Sequence, residues 1–434
     1  MKPSSLFPAV IATLGLSLWL SGCQQPPRVS TRFGQIGKPA SGGGGGAGDG
    51  SIVLNFAPDA VNAAPPEIAK AGTRFTYRMM SATLAGEGST WTPNDQGVWE
   101  NSKGDRFDRT KKEGGGSSDT FEQYDLIAID DKQSVLVKNS FMISPNLASP
   151  SSSGVTMYMT GTPGYGTMIW ANTDTLNNLP TVVEPTRRIV RGQWRMGNGM
   201  TDAITMFDYS PTNKSFYAYD LKSGLMIESS ISSQGPPSEY TAPGETNTGS
   251  TMLVSTVAVG ARPLNIPWAG DPEPEWASNF KSATYSVSSQ FGLAGAAPLP
   301  PTNSKLKFTV DERGTGWIRM TKKVISSDGV DPTAGQPMPF ITTPTRLDPL
   351  WISPASLGRL QAGQTIDTDE YTKMVVRVVG VQQGNNGSFV VIEHTNGSQE
   401  TKIGYDTRMG MMVYFESYSP TQHTKTVMTL DGTE

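Results

Sequence analysis

Cysteine and histidine are nearly absent from this chain of 434 residues, which contains one cysteine and two histidines. A single thiol excludes an intrachain disulfide, and two histidines are too few for a zinc site of the usual cysteine and histidine ligands. His394 follows an apolar run and His423 lies in a polar loop, so the two imidazoles share no context in the sequence. We interpret them as a strand-end and a loop residue, and we expect no metal and no cofactor.

Clusters of basic residues are also absent. The chain has 35 lysines and arginines against 39 aspartates and glutamates, a net charge of −4, so we expect no nucleic-acid partner. The G-x-S-x-G and H-E-x-x-H catalytic motifs do not occur, and Ser278-x-x-Lys281 lacks the companion motifs of the penicillin-binding enzymes. These absences favour a protein that is not an enzyme.

A hydrophobic run long enough to cross a membrane as a helix is the third absence. The apolar stretch at the start of the chain covers residues 6–20, whereas a spanning helix needs about 20 apolar residues. Lys2 precedes this stretch, and a positive residue before a short apolar core is typical of a secretory signal peptide. The sole cysteine, Cys23, closes the run Leu20-Ser21-Gly22-Cys23 directly behind it.

This run resembles the lipobox of bacterial lipoproteins. The resemblance implies cleavage before Cys23 and acylation of that residue, which makes the membrane a partner through the N-terminal lipid. It also implies a place in the cell envelope, and Gln24 after the cysteine implies the outer membrane if the source is Gram-negative. The resemblance ends at residue 24, and the rest of the chain resembles no family that we recognise.

The mature part of the chain reads as β structure. It is rich in turn-forming residues, with 47 glycines and 32 prolines in the whole sequence. Residues 389–393, 411–415 and 424–430 form short β-branched, aromatic or Met-rich runs bounded by Gly, Asn, Ser or Pro, as strands are. We count about eight such strands in each half, joined by loops too short for parallel crossovers.

Two patterns occur twice in the same order, which indicates a tandem duplication. The first places a tryptophan ahead of two leucines. The second places Tyr-Asp ahead of a glycine and a methionine, which predicts a turn in which the aspartate side chain caps backbone N–H groups and the glycine is left-handed. The copies are Trp170-x5-Leu176-x2-Leu179 with Trp351-x5-Leu357-x2-Leu360, and Tyr219-Asp220-x3-Gly224-x-Met226 with Tyr405-Asp406-x3-Gly410-x-Met412. We therefore predict two tandem homologous antiparallel β domains, each with a short helix. A curved sheet, a half-barrel and a sandwich remain open.

The domain boundaries follow from composition. A glycine run near residue 45 indicates a flexible segment. Four prolines after residue 262 indicate a stiff connector, so we expect unfolding of one domain to affect the other little. We predict a signal peptide (1–22), a lipidated Gly/Pro-rich flexible tether (23–70), a first β domain (71–261) with a Gly-rich insertion (86–118), a Pro-rich acidic linker (262–276) and a second β domain (277–434).

Few residues suggest a site. The densest acidic group, Asp367-Thr368-Asp369-Glu370, could offer oxygen ligands to Ca²⁺, but we favour a solvated turn. Trp91 and Trp99 lie in the insertion, where an exposed ring could stack on a sugar or seat a partner protein. These two tryptophans are the candidate recognition surface.

The sequence favours a non-catalytic binding, carrier or structural module of the envelope. Its partners would be an envelope protein or a polysaccharide besides the membrane. The alternatives are a carbohydrate-active hydrolase that uses paired carboxylates and a carrier of a hydrophobic ligand within the β domains. Facing carboxylates in an aromatic groove would favour the hydrolase, and an open apolar cavity would favour the carrier.

Overall fold

The computed structural model describes residues 51–84, 92–94, 98–100, 104, 106–107, 118–210, 213–234, 251–292, 298–326, 338–384, 387–420 and 423–434. The expected signal peptide, Cys23 and Trp91 lie outside the described residues.

Strands dominate the fold. In the first half they are β1 (Thr73–Leu84), β2 (Thr92–Pro93), β3 (Trp99–Glu100), β4 (Arg106–Phe107), β5 (Ser118–Ile129), β6 (Ser134–Met142), β7 (Ser151–Gly161), β8 (Val182–Val183), β9 (Arg187–Met196), β10 (Gly199–Tyr209), β11 (Asn213–Asp220), β12 (Met226–Gln234) and β13 (Thr251–Pro263). In the second half they are β14 (Ser282–Phe291), β15 (Thr302–Gly314), β16 (Trp317–Ser326), β17 (Met338–Thr342), β18 (Thr365–Thr368), β19 (Val375–Gly384), β20 (Gly387–Thr395), β21 (Glu400–Asp406), β22 (Met412–Ser419) and β23 (Thr424–Thr433).

Helices are few and short. They are α1 (Ser51–Phe56), α2 (Thr173–Asn178) and α3 (Pro354–Leu357), with 3₁₀ turns at Pro58–Asn62 and Glu275–Asn279. Helices α2 and α3 follow the two repeated tryptophans, as the sequence predicts. Among the described helices, none has the length and apolar character needed to cross a membrane.

The strands form two ten-stranded antiparallel sheets with the same order. The first runs β7-β6-β5-β1-β13-β12-β11-β10-β9-β8, and the second runs β17-β16-β15-β14-β23-β22-β21-β20-β19-β18. In both sheets the first strand in the chain pairs with the last, and up-and-down strands extend to either side. This arrangement confirms the prediction of two antiparallel β domains. We call each sheet, with the segments packed on it, the first or the second lobe.

The repeated Tyr-Asp unit forms the same turn in both lobes. Asp220 accepts a hydrogen bond from the backbone N–H of Ser223 (2.7 Å), and Asp406 accepts one from that of Met409 (2.7 Å). The glycine that ends each turn has a left-handed backbone, with φ of 74° at position 224 and 76° at position 410. The predicted aspartate-capped turn is therefore confirmed in both copies.

The repeated tryptophans also hold equivalent places. Trp170 forms an isolated bridge with Leu225, and Trp351 forms one with Met411, so each tryptophan lies against the strand that follows the Tyr-Asp turn. Their side chains are 0% and 4% exposed. Each belongs to the main apolar core of its own lobe.

The two segments outside the sheets differ from the sequence-based boundaries. The end of the predicted tether packs on the first lobe, where Phe56 and Ala60 are buried in the core. In the predicted linker, Arg262 and Pro263 still belong to β13, and Trp268 is buried in the second core, where its Nε1–H donates to the carbonyl of Arg346 at 3.0 Å. Burial of a large aromatic ring is favourable, so this segment is held against the second lobe through Trp268.

Candidate functional site

Trp99 does not form the expected recognition surface, because its side chain is buried. It is 1% exposed, lies 6.4 Å from the ring of Phe216, and donates a hydrogen bond from Nε1 to Ser230 at 2.7 Å. The small sheet β2–β4 thus covers the apolar outer face of β10 to β12. The exposure predicted for Trp99 is wrong, since that face is apolar and needs a cover.

The acidic group at Asp367 and Asp369 is an ion-pair cluster between the lobes. Arg262 donates to both oxygens of Asp367 at 2.7 Å and lies 3.3 Å from Asp369. Arg74 is paired with Asp125 at 2.6 and 2.7 Å and lies 3.6 Å from Asp369. Both aspartates are buried. The interpretation as a solvated turn is therefore wrong, and the carboxylate oxygens are occupied by guanidinium groups.

Burial raises the pKa of Asp369, but the backbone N–H of Thr372 and the charge of Arg74 outweigh it. The net result is a pKa below the ordinary value for aspartate. Asp369 also accepts a hydrogen bond from the hydroxyl of Thr372 at 2.9 Å. This carboxylate is therefore held ionised in the joint between the lobes.

A second contact between the lobes combines an apolar patch with a buried arginine. Val135 and Val137 of the first sheet pack with Trp317 and Ile341 of the second. Arg346, which is 5% exposed, reaches from the second lobe to donate to the hydroxyl of Tyr158 at 2.6 Å. The same guanidinium binds Asp348 at 2.7 and 2.9 Å. The two sheets are thus packed against each other beside the ion-pair cluster.

A cavity of about 270 Å³ lies between the lobes. The first sheet supplies a mainly polar wall that includes Gln123, Asn139 and Phe141. The second sheet supplies aromatic rings and charged groups, among them Phe340 and Lys322. The cavity is close to the lower limit of ligand pockets, roughly 300 Å³.

Two buried nitrogens in the cavity wall lack a hydrogen-bond partner among the described residues. They are Nε2 of Gln123 and Nε2 of His394. Gln123 is only 1% exposed. Burial lowers the pKa of His394, so its imidazole is favoured in the neutral form. Buried polar atoms are normally hydrogen-bonded, and an unpaired one in a cavity wall is therefore a place where a ligand or water can bind.

Lys322 is the third unusual group in this wall. It stands on the core-facing side of β16, in the alternating row Ile318, Met320 and Val324, which is otherwise apolar. Burial, together with the nearby charge of Arg346, lowers the pKa of Lys322 to about 8. Among the described residues no carboxylate pairs with it. The sequence shows Lys322 at an inward position of an alternating apolar row. That position suggests a functional role only when the row is known to face a cavity, which the sequence does not show.

The two histidines do not lie in one site. His394 lies at the end of β20 in the cavity wall, and His423 is exposed in the turn before β23 with a φ of 51°. Within the described ranges, no group of three metal-ligating side chains comes together. The cavity wall therefore offers aromatic rings, two arginine–aspartate pairs and one lysine that no described carboxylate pairs with.

Comparisons with known proteins add little to this geometry. No family model matches the chain, and no curated protein matches it. Among solved structures, the chain is similar to the vaccine antigen Transferrin Binding Protein B from Haemophilus parasuis, at 8% identity and a TM-score of 0.15, over 85% of this chain and 78% of that one. It is also similar to pol III beta of Caulobacter crescentus, at 8% identity and a TM-score of 0.09, over 88% and 98%. Neither similarity carries an argument about function.

Proposed function

We propose that this chain is a lipid-anchored protein of the bacterial cell envelope that binds a small amphipathic molecule in the cavity between its lobes, without catalysis. The observation that supports this proposal is the cavity itself, in which aromatic walls meet buried polar nitrogens that have no partner within the described part of the protein. Ligand sites commonly combine apolar walls with a few convergent polar groups. The proposal differs from the carrier expected from the sequence, because the cavity lies between the lobes and not within one β domain.

The walls fit a ligand with an apolar body. Phe308 and Phe340 lie 5.1 Å apart in an edge-to-face arrangement, and Phe141 faces the cavity from the first lobe. Aromatic rings offer a large contact area and few rotamers, so they bind apolar groups at low entropic cost. A polysaccharide or envelope protein would need an exposed surface instead, and the buried Trp99 does not provide one.

A neutral fluorescent probe tests whether the cavity binds ligands. We expect N-phenyl-1-naphthylamine to bind the purified full chain at one saturable site. Thr401→Phe, which fills the cavity, should weaken this binding about tenfold or more, because the added ring occupies the ligand's space. Thr309→Phe adds the same ring at an exposed position and should leave binding unchanged. Fluorescence titration measures both affinities.

Two results would contradict the proposal. Equal loss of binding in the two phenylalanine variants would place the probe elsewhere on the protein. Hydrolysis of a polysaccharide by the purified chain would overturn the non-catalytic part and favour the carboxylate hydrolase.

The lipid anchor is tested separately. Cells that express the chain with labelled palmitate should label the wild type and not Cys23→Ser, because the chain has no other thiol. The variant should accumulate as a larger, unprocessed form. Ser21→Ala keeps the cysteine and a small neighbour, so we expect it to be labelled normally. Equal labelling of the wild type and Cys23→Ser would exclude acylation at this position.

A further inference from the structure

Lys322 has a structural equivalent in the first lobe, and comparison of the two shows that Lys322 lacks a carboxylate partner. In the first sheet Lys138 pairs across strands with Tyr124, and in the second sheet Lys322 pairs in the same way with Phe308. In each lobe the pair joins the second and third strands of the sheet, β5 with β6 and β15 with β16, and both sheets have the same strand order. The two lysines therefore occupy the same position of the duplicated fold.

The first lobe neutralises its lysine, and the second does not. Glu122 forms a salt bridge with Lys138 at 2.6 Å, and its side chain is 5% exposed. In the first lobe Glu122 lies opposite Tyr77, and in the second lobe Leu306 lies opposite Tyr285 at the equivalent position. A leucine thus stands where the carboxylate partner of the lysine would be.

The other charges in the cavity wall are already paired. Both oxygens of Asp125 bind Arg74, and Asp348 binds Arg346. The wall therefore carries three basic and two acidic side chains, counting Lys322 with these two pairs. An unpaired ammonium group in a partly buried wall is costly unless a ligand supplies the counter-charge.

We propose that Lys322 binds the acidic head of the ligand, so that the cavity takes an amphipathic organic anion, with Gln123 as a further donor to the same head. This inference rests on the proposed binding function and specifies the class of ligand. A carboxylate or a phosphate monoester would supply the charge that Glu122 supplies in the first lobe. The aromatic rings of the second sheet would hold the apolar body.

A matched pair of probes tests the charge preference on the full chain. 8-Anilinonaphthalene-1-sulfonate and N-phenyl-1-naphthylamine share the same rings and differ by one sulfonate group. We expect Lys322→Met to weaken binding of the sulfonate about tenfold or more, since it removes a charge-assisted hydrogen bond, and to leave the neutral probe unaffected. Lys322→Arg should restore most of the preference. Lys323→Met, at the next and exposed position of β16, is the control and should change neither affinity.

Stability distinguishes a binding role from a structural one. Methionine suits the apolar row of β16, and it removes a partly buried charge that has no partner in the described structure. Lys322→Met should therefore raise the unfolding midpoint while it weakens anion binding. A lower midpoint together with loss of both probes would show that Lys322 supports the fold, and would overturn the inference.

Competition identifies the head group. Octanoate and octyl phosphate should displace the sulfonate probe at much lower concentrations than octanol does. Displacement by only one of the anions selects carboxylate or phosphate, whereas displacement by octanol as readily as by the anions overturns the charge preference. If the wild type binds the neutral probe but shows no preference for the anion, the inference fails and the binding function stands. If it binds neither probe, the proposed function itself fails.

Discussion

Replacing Trp170 with alanine is expected to lower the free energy of unfolding by about 3–5 kcal/mol. The ring is fully buried, lies 5.7 Å from that of Phe75, and donates a hydrogen bond from Nε1 to the carbonyl of Pro163 at 2.9 Å. The substitution leaves a large void and a buried carbonyl without its donor. Trp351→Ala should have a similar effect in the second lobe, where Trp276 and Phe280 surround the ring at 5.4 and 5.6 Å.

Urea denaturation followed by circular dichroism measures both losses without relying on tryptophan fluorescence. Tyr418→Ala removes a side chain from a residue that is 42% exposed and should cost less than about 1 kcal/mol. Because the lobes share an apolar patch and an ion-pair cluster, we expect either tryptophan variant to shift one common transition. A cost below about 1 kcal/mol for Trp170→Ala would contradict the packing described above.

Asp369→Asn is expected to weaken the joint between the lobes. The variant keeps the size of the side chain but places an amide where two arginines approach a carboxylate oxygen. Breaking a buried ion pair costs about 3–5 kcal/mol. We expect about 3 kcal/mol, since Arg74 keeps Asp125 and Arg262 keeps Asp367 as partners. The single unfolding transition should then separate into two.

The matched control is Glu370→Gln, because Glu370 is the next residue and is exposed. It should leave one transition and an unchanged midpoint. The pKa of Asp369 is lowered in the folded protein, so its contribution is fully present above the ordinary pKa of aspartate, about 3.9, and is lost as the pH falls through the folded value. The stability difference between wild type and Asp369→Asn should therefore stay constant above about pH 4 and shrink below it. A difference that grows on acidification would contradict this role.

The sequence predicted the features that depend on neighbours along the chain. The turn at Asp220 and its copy at Asp406 rest on contacts within four residues, and the strand that contains Phe389 follows from a run of aromatic and β-branched residues. The repeated spacing also identified the two tryptophans as equivalent. Local chemistry and repetition are sufficient for these features.

Features that depend on distant partners were missed or misread. Asp369 looks like a solvated residue until Arg74 and Arg262 are known to face it from the other lobe. Trp99 looks exposed because its own insertion is polar, whereas the apolar face that it covers lies on β10 to β12. The missing partner of Lys322 is evident only by comparison with Lys138 and Glu122, and that comparison requires the strand register. Each error concerns a residue whose environment is built by a part of the chain far away in sequence.

The pairing of the first strand with the last in each lobe has a consequence for how the chain folds. The strand that contains Thr73 can pair only when the strand that contains Pro263 is available. In the second lobe the strand of Ala283 likewise requires the strand of Thr433, close to the end of the chain. Closing such long loops costs entropy before any contact repays it, so folding dominated by these pairings is slow. Neither sheet can be completed while its final strand is still being synthesised or exported. A chain that crosses a membrane through a narrow channel would therefore stay open for passage, and each lobe would close only after its last strand had emerged.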